Sequence, residues 1–214
     1  MAAPTTVDAL LPLSLLEAVR SVDTPDGDYD AEFVAELRNK RLGLSDTIYA
    51  QIRRYADAVR RNQRPPHDEA VALARLIGRR PDAEAVFRNA GRYLAKEAYL
   101  TISPATRQML RGLPSLVARP IALRRARRIT ERYLGGRLTR HGAFLLLEIP
   151  GSVTLDVAPR SVGCAFYEAA LKELLRLLIG STGAVDHVRC ASRGEGACEW
   201  RAEWRGMQSL PETP

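Results

Sequence analysis

The chain has no hydrophobic run long enough to span a lipid bilayer, which argues against a transmembrane helix. Its N-terminus lacks a basic stretch followed by an apolar stretch, so no secretory signal is expected. Lysine is scarce: it occurs only at Lys40, Lys96 and Lys172, and arginine supplies nearly all of the net charge of +7. Cysteine is scarce as well, with three residues, and nothing points to an oxidising compartment. These absences predict a cytoplasmic protein with reduced thiols.

Motifs of the common enzyme classes are also absent. The sequence contains no nucleophile elbow, no phosphate-binding glycine loop after a strand, no paired-carboxylate signature and no nicotinamide or flavin motif. Gly194-Glu195-Gly196 lacks the strand-to-helix context of a dinucleotide-binding fingerprint. The sequence therefore favours binding over catalysis and leaves enzymatic activity open.

The N-terminal part is predicted to be mostly helical, in a chain of 214 residues that is long enough for one sizeable core. Prolines and small polar residues interrupt residues 1–29, which are expected to form a flexible arm. Within this arm the apolar stretch Leu10–Leu16 is a candidate for a short helix docked on the body. Residues 30–82 are predicted as a helical extension, with helices over Ala31–Lys40, from an N-cap at Ser45, and over His67–Ile77.

Residues 83–206 are predicted to form the main domain, and residues 207–214 a tail. Helices open this domain, and after Gly135-Gly136 the sequence changes to β-forming residues. The turn Pro150-Gly151 separates two strands, and the apolar helix Gly163–Ile179 separates them from two more; the strands are Arg137–Ile149, Ser152–Val157, Ala184–Ala191 and Ala197–Trp204. The predicted fold class is α+β: N-terminal helices followed by a strand–strand–helix–strand–strand unit with an antiparallel sheet.

Positive charge is densest between Leu113 and Leu134, where six arginines occur. Apolar residues at helical spacing predict that this segment is a helix with one buried side. The arginine side, which spans Arg119–Arg132, is either a solvated helix face or a surface for phosphate groups. Nucleic acid is one alternative partner, since basic clusters attract it without sequence selectivity.

Three cysteines and one histidine in the C-terminal part suit a metal ion. Cys190 and Cys198 bracket a glycine-rich segment, His187 precedes Cys190 by three residues, and Cys164 lies just before the apolar helix. Thiolate and imidazole are ligands that Zn²⁺ prefers, and four of them complete a tetrahedral site. Alternating residues around Cys190 and Cys198 predict two strands joined by a loop, which would present both sulfur atoms to one point.

Two other interpretations of the cysteines stay open from the residues alone. Unpaired cysteine is among the most buried residue types and often packs as a small hydrophobic side chain. The seven residues between Cys190 and Cys198 also exceed the spacing of common zinc knuckles. A disulfide between these two cysteines is the third interpretation.

A short set of C-terminal residues suggests a family. The set consists of Cys164 before a helix, Val188-Arg189-Cys190, Gly194-Glu195-Gly196, Cys198-Glu199-Trp200 and Trp204. It resembles the 4-vinyl reductase domain family, over roughly residues 83–204, with the helical part matching in pattern only. Aromatic-sensing domains of transcription activators, archaeal hydrocarbon-binding proteins, a protein of bacteriochlorophyll synthesis and TRAPP-type vesicle-tethering subunits share that fold.

The resemblance implies a structural zinc site and an apolar pocket. The activator domains hold zinc with three cysteines, which match Cys164, Cys190 and Cys198, and with an acidic residue, whose position falls at about His187. Four protein ligands leave no open position for a reactive water, so the implied zinc is structural. The pocket would hold an aromatic, lipid-like or tetrapyrrole ligand. Its candidate lining residues are Phe87, Tyr93, Tyr99, Phe144, Leu146, Phe166 and Tyr167. The alternative role of these residues is packing in the hydrophobic core.

Three hypotheses about function follow. The first is a stand-alone small-molecule-binding or sensor protein with a structural zinc. The second is an accessory protein or vinyl reductase of a tetrapyrrole pathway, and the third is an arginine-rich adaptor for nucleic acid or anionic surfaces. Because Leu10–Leu16 and the N-terminal helices offer more apolar positions than a short bundle can bury, we also expect a homodimer formed through the helical half.

Overall fold

The structure is a computed structural model that describes residues 5–24, 43, 45–155, 157 and 162–204. Seven α-helices and four β-strands lie in this part of the chain. The helices are α1 Leu10–Asp23, α2 Asp46–Arg60, α3 His67–Gly78, α4 Ala83–Leu100, α5 Pro104–Gly112, α6 Ser115–Ile129 and α7 Ala165–Ile179. The strands are β1 Arg137–His141, β2 Phe144–Ile149, β3 Val185–Arg189 and β4 Cys198–Glu203. The predicted helix Ala31–Lys40 and the predicted tail lie outside the described residues.

Serine residues begin two of the helices, and one of them is the N-cap predicted at Ser45. The Ser45 hydroxyl accepts a hydrogen bond from the Ile48 N–H at 3.4 Å, and the Ser103 hydroxyl accepts one from the Thr106 N–H at 3.3 Å. Each bond satisfies a backbone donor that the first turn of a helix leaves without a partner. The sequence therefore predicts correctly where α2 and α5 begin.

Helix α1 is part of the core, which corrects the prediction of a flexible arm over residues 5–24. All residues from Leu10 to Leu16 are buried, because α1 packs against α2, α3 and α4. A helix that is apolar on every side is typical of such an enclosed position. Pro12 is tolerated because the first turn has N–H groups without helical acceptors. This segment needs no second chain to cover it, so it no longer supports the homodimer, which stays a prediction.

Helices α4 and α7 approach each other closely at Gly91. A Cβ atom on Gly91 would lie 2.1 Å from the Phe166 carbonyl oxygen and 2.9 Å from the Ala170 nitrogen. Only glycine leaves room for two backbones to come this near. Phe87, one turn earlier on α4, and Phe166 on α7 are both fully buried. This helix pair therefore forms the centre of the hydrophobic core.

The four strands form one antiparallel sheet in the order β1-β2-β4-β3. The predicted strand Arg137–Ile149 is two strands, which meet at a turn where Gly142 has a φ of +59°. The predicted strand Ser152–Val157 is wrong, because its described residues form a turn and irregular backbone, and β2 pairs with β1 and β4 instead. Its Val153 N–H donates instead to the Tyr167 hydroxyl at 3.2 Å.

One face of the sheet lies on the core and the other faces solvent. In β2 the buried Leu145, Leu147 and Ile149 alternate with more exposed residues. Trp200 of β4 contacts Tyr167 of α7, with ring centroids 5.2 Å apart. Buried residues from Val7 to Trp204 belong to one connected core. The predicted α+β class, with helices preceding an antiparallel sheet, is confirmed. None of the described helices is long and apolar enough to cross a membrane.

Candidate metal centre

The β3–β4 hairpin and the start of α7 bring the four predicted metal ligands together. His187 lies on β3, Cys190 directly follows that strand, and Cys198 begins β4. Cys164 ends a short helical turn and immediately precedes α7. One imidazole nitrogen and three sulfur atoms all lie within 4.8 Å of one another. The structure therefore positions these four residues to hold one metal ion.

The spacing of the ligand atoms fits a tetrahedral site. Zinc–sulfur bonds of about 2.3 Å imply sulfur–sulfur separations of about 3.8 Å in a regular tetrahedron. The sulfur atoms of Cys164 and Cys190 are 3.9 Å apart. All three cysteines are buried and His187 is half-buried. The ligand set is thus largely shielded from bulk water, as structural metal sites are.

This geometry decides among the three interpretations of the cysteines. All three are free thiols, so Cys190 and Cys198 do not form a disulfide. Their sulfur atoms converge with that of Cys164 and with His187, whereas side chains that only fill the core have no reason to cluster by chemical type. A convergent set of three thiols and one imidazole is the arrangement expected of metal ligands.

The loop between β3 and β4 is shaped by its glycines and by Glu195. Gly194 and Gly196 have φ angles of +78° and +88°, a region that favours glycine over residues with a side chain. The Glu195 carboxylate accepts a hydrogen bond from the Cys190 N–H at 2.8 Å. Gly194-Glu195-Gly196 therefore orients a metal ligand, a role that the sequence analysis did not assign to it.

Donor groups surround the sulfur atoms. The Ala191 N–H donates to the Cys198 sulfur at 3.3 Å, and the Ser192 hydroxyl lies 2.9 Å from the Cys190 sulfur. Hydrogen bonds of this kind favour the thiolate over the thiol. Sequence reasoning missed Ser192, whose only signal was a hydroxyl two residues after a candidate ligand.

Two of the thiols have pKa values shifted in opposite directions. The hydrogen bond from Cys164, together with the Ala191 N–H and nearby His187, lowers the pKa of Cys198 to about 6, although burial opposes this shift. The same bond and burial raise the pKa of Cys164 above its ordinary value. Of the two groups Cys198 is the one whose thiolate is favoured, and it accepts the Cys164 proton in a hydrogen bond. A bound metal ion would displace that proton, because metal ligation requires thiolates.

His187 is held against the core by Trp200. The two rings are stacked, with centroids 4.8 Å apart and an interplanar angle of 11°. The Nε2 atom of His187 is buried, and among the described residues it has no hydrogen-bond partner. A buried polar atom without a partner is costly, and a ring nitrogen free of other bonds fits a metal-ligand role.

An ion pair joins the strands beside the ligands. Arg189, which precedes Cys190, donates to both carboxylate oxygens of Glu199, which follows Cys198, at 2.9 and 2.6 Å. A β-bulge lies between His187 and Arg189, so β3 has one more residue here than its partner strand. The bidentate pair fixes the register of the hairpin next to the cysteines.

The seven residues predicted for an apolar pocket lie in different surroundings. Phe87, Tyr99, Phe166 and Tyr167 are buried, and Tyr93 is half-buried. Phe144 is 39% exposed on the outer face of the sheet, where the Arg201 guanidinium lies 5.3 Å from its ring centroid, and Leu146 shares that face. Since α7 covers the opposite face, the structure does not bring all seven residues around one cavity.

A polar cleft of about 540 Å³ lies beside the end of α6 and strands β1 and β2. Thr130–Leu134 forms a turn of π-helix that ends at Gly135, which has a φ of +65°. Turns of π-helix occur often at functional sites. Two arginines and two glutamates make the cleft polar, and its lining residues are Arg127, Glu131, Gly135, Gly136, Arg137, Leu138, Glu148 and Pro150.

Comparisons with known proteins do not assign a family. No family model matches the chain, and no curated protein matches it. The resemblance to the 4-vinyl reductase domain family therefore stays a prediction that rests on the C-terminal motif.

Proposed function

We propose that the protein binds one zinc ion through Cys164, His187, Cys190 and Cys198. The observation that carries this assignment is the convergence of three sulfur atoms and one imidazole nitrogen within 4.8 Å. Thiolates favour zinc over the hard cations calcium and magnesium, which prefer oxygen ligands. Four protein ligands match a closed site, in which no coordination position remains for water.

The role proposed for this zinc is structural. The ion would join the start of α7 to the β3–β4 hairpin, across the 26 positions that separate Cys164 from Cys190. Because the unfolded chain does not hold these ligands together, the free energy of metal binding would add to the free energy of folding. The sheet edge formed by β3 would then depend on the metal for its attachment to the helices.

Elemental analysis of protein purified without added metal tests this proposal, with about one zinc per chain expected. Cys198→Ser removes a ligand and should cause loss of the metal and a marked drop in thermal stability. Ser192→Ala is the matched control, because it removes a neighbouring hydroxyl but no ligand, and it should keep the metal. A folded protein that contains no metal, and whose stability a chelator leaves unchanged, would refute the assignment.

Small-molecule binding is our second proposal, and the polar cleft supports it. Its volume of about 540 Å³ lies within the range of about 300–1,000 Å³ that is typical of ligand sites. Arg127, Glu131, Arg137 and Glu148 supply charges of both signs, so the cleft suits a charged small molecule better than a hydrocarbon. A sensor or carrier function is consistent with such a site, and no catalytic group is assigned to it.

Thermal-shift screening against charged small molecules tests the cleft. A ligand that raises the melting temperature should lose its effect in Arg137→Ala and keep it in Arg140→Ala, a control on the same strand that does not line the cleft. Equal shifts in both variants would contradict binding in the cleft. The tetrapyrrole-pathway hypothesis stays a prediction that co-purification of a pigment would support.

A further inference from the structure

The net positive charge of the protein is concentrated in one segment. Residues 101–130 contain seven arginines and no aspartate or glutamate. The rest of the chain has 25 basic and 25 acidic residues, so this segment accounts for the whole net charge of +7. It comprises α5, α6 and the turn between them. Clustering of charge in one segment produces a positive electrostatic potential on one part of the surface, which attracts anionic partners.

The charge of this segment is not neutralised within the described part of the chain. No described carboxylate oxygen lies within 4.0 Å of a guanidinium nitrogen of these seven arginines, whereas Arg80, Arg88 and Arg189 each have such a partner. Arg124 and Arg128 of α6 are exposed. These groups are therefore available to an external anion.

Large apolar side chains are exposed in the same segment. Leu116 is 85% exposed, Val117 is 49% exposed and Met109 is 43% exposed. The other side of α6 packs on the core, through Ala118, Ala122, Leu123, Ala126 and Ile129. The first turn of α6 thus presents apolar side chains to solvent, although the same helix also has a side that is buried against the core.

Helical spacing places the apolar and basic side chains of α6 on one outward face. Val117, Ile121, Arg124 and Arg128 follow one another at intervals of three or four residues, which aligns them along the helix. A groove of about 440 Å³ lies along this face and is lined by Pro120, Ile121, Arg124, Arg125 and Arg128. The face is apolar at its N-terminal end and basic at its C-terminal end.

We propose that this α6 surface, defined by Leu116, Val117, Arg124 and Arg128, docks on an anionic lipid bilayer. Apolar side chains bind a membrane interface by entering the region between headgroups, and nearby basic residues bind the phosphates and anionic lipids. The combination of exposed leucine and valine with unneutralised arginine matches both requirements on one helix.

A nucleic acid partner fits this surface less well. Single-stranded sites use aromatic side chains on which bases stack, and duplex sites position polar side chains along the backbone. Residues 101–130 contain no aromatic residue. Exposed Leu116 and Val117 have no role in binding to phosphates alone, whereas a bilayer gives them an apolar environment.

Flotation of the full chain with lipid vesicles tests the proposal. We expect binding to vesicles of phosphatidylcholine with phosphatidylglycerol, no binding to phosphatidylcholine alone, and weaker binding at about 1 M salt. Arg124→Gln with Arg128→Gln should lower the partition coefficient roughly 30-fold, at about one tenfold step per 1.4 kcal/mol and about 1 kcal/mol per arginine. Leu116→Ser with Val117→Ser should lower it at least about tenfold.

The matched control is Arg53→Gln with Arg61→Gln, which removes the same charge from exposed positions at α2 and should leave vesicle binding nearly unchanged. The four side chains replaced on α6 are exposed, so the circular dichroism spectrum and melting temperature of each variant should match those of the parent protein. Undiminished binding by the serine variant would overturn the proposal. Binding to a duplex oligonucleotide without binding to vesicles would overturn it in favour of nucleic acid.

Discussion

Gly91→Ala should disrupt the contact between α4 and α7. The added Cβ atom would lie 2.1 Å from the Phe166 carbonyl oxygen and 2.9 Å from the Ala170 nitrogen. Both are backbone atoms in or at the first turns of a helix, so neither can rotate away as the end of a side chain would. The two helices must therefore move apart by on the order of 1 Å to restore ordinary contact distances.

The expected cost follows from the packing around that contact. Overpacking of a core costs typically about 1–3 kcal/mol, and separation of α4 from α7 also loosens the fully buried Phe87 and Phe166. Alanine is favoured over glycine in a helix by about 1 kcal/mol, which offsets part of the loss. We expect a net loss of about 2 kcal/mol in the free energy of unfolding. For a chain of this length that corresponds to a melting temperature lower by roughly 4–8 °C.

Gly112→Ala is the matched control, because a Cβ atom there meets nothing within 4 Å at the exposed end of α5. Its stability should equal or slightly exceed that of the parent protein. Urea unfolding followed by circular dichroism measures both variants under one condition. If Gly91→Ala proves as stable as Gly112→Ala, the close approach of α4 and α7 is incorrect.

Three further changes probe the charged and phenolic groups. Burial, assisted by the nearby Glu17 and Glu97 carboxylates, raises the pKa of Tyr93 to about 12. The free energy of unfolding should therefore fall as pH rises from 10.0 towards 12, and Tyr93→Phe should flatten that fall in alkaline unfolding curves. The hydrogen bond from Arg176 lowers the pKa of Glu173 below 4.5, so its stabilisation is present above pH 4.5 and is lost on acidification; Glu173→Gln should be less sensitive to acid, and an unchanged acid profile would contradict this. Arg80→Met removes a guanidinium bound to the buried Asp23 carboxylate at 2.7 and 3.0 Å and should cost about 3 kcal/mol in urea unfolding, whereas a loss below about 1 kcal/mol would show that the pair behaves as a surface ion pair.

The residues positioned to hold a metal ion were predictable from sequence because ligand chemistry restricts the residue types so strongly. Three cysteines and a nearby histidine stand out in a chain with few of either, and the hairpin pattern around Cys190 and Cys198 indicated how two of them meet. The supporting groups were not predictable in the same way. Ser192, Glu195 and the Ala191 N–H act through hydrogen bonds that depend on the conformation of the loop, and polar residues in a loop carry no signal of their partners.

The errors in the fold prediction have local physical causes. The short docked helix expected at Leu10–Leu16 is present, but it continues to Asp23, so the prolines and small polar residues around it did not make residues 5–24 a flexible arm. The predicted strand Arg137–Ile149 ran through the tight turn at Gly142, because β-forming residues lie on both sides of the turn and only one glycine marks it. In Ser152–Val157 the sequence alternates but burial does not: Ser152, Val153 and Thr154 are all buried in or beside a turn, so the alternation did not mark a strand.

Trp200 connects the metal centre to the hydrophobic core. Its fully buried ring lies 5.2 Å from the Tyr167 ring of α7 on one side and 4.8 Å from the His187 ring of β3 on the other. The rings of His187, Trp200 and Tyr167 already connect β3 to α7. A metal ion held by His187 and by Cys164, at the start of α7, would connect the same two elements a second time. Because β3 is an edge strand with only β4 as a hydrogen-bonded neighbour, these ring contacts add to its direct contacts with α7. The proposed zinc would thus add a second attachment of the β3 edge of the sheet to helix α7.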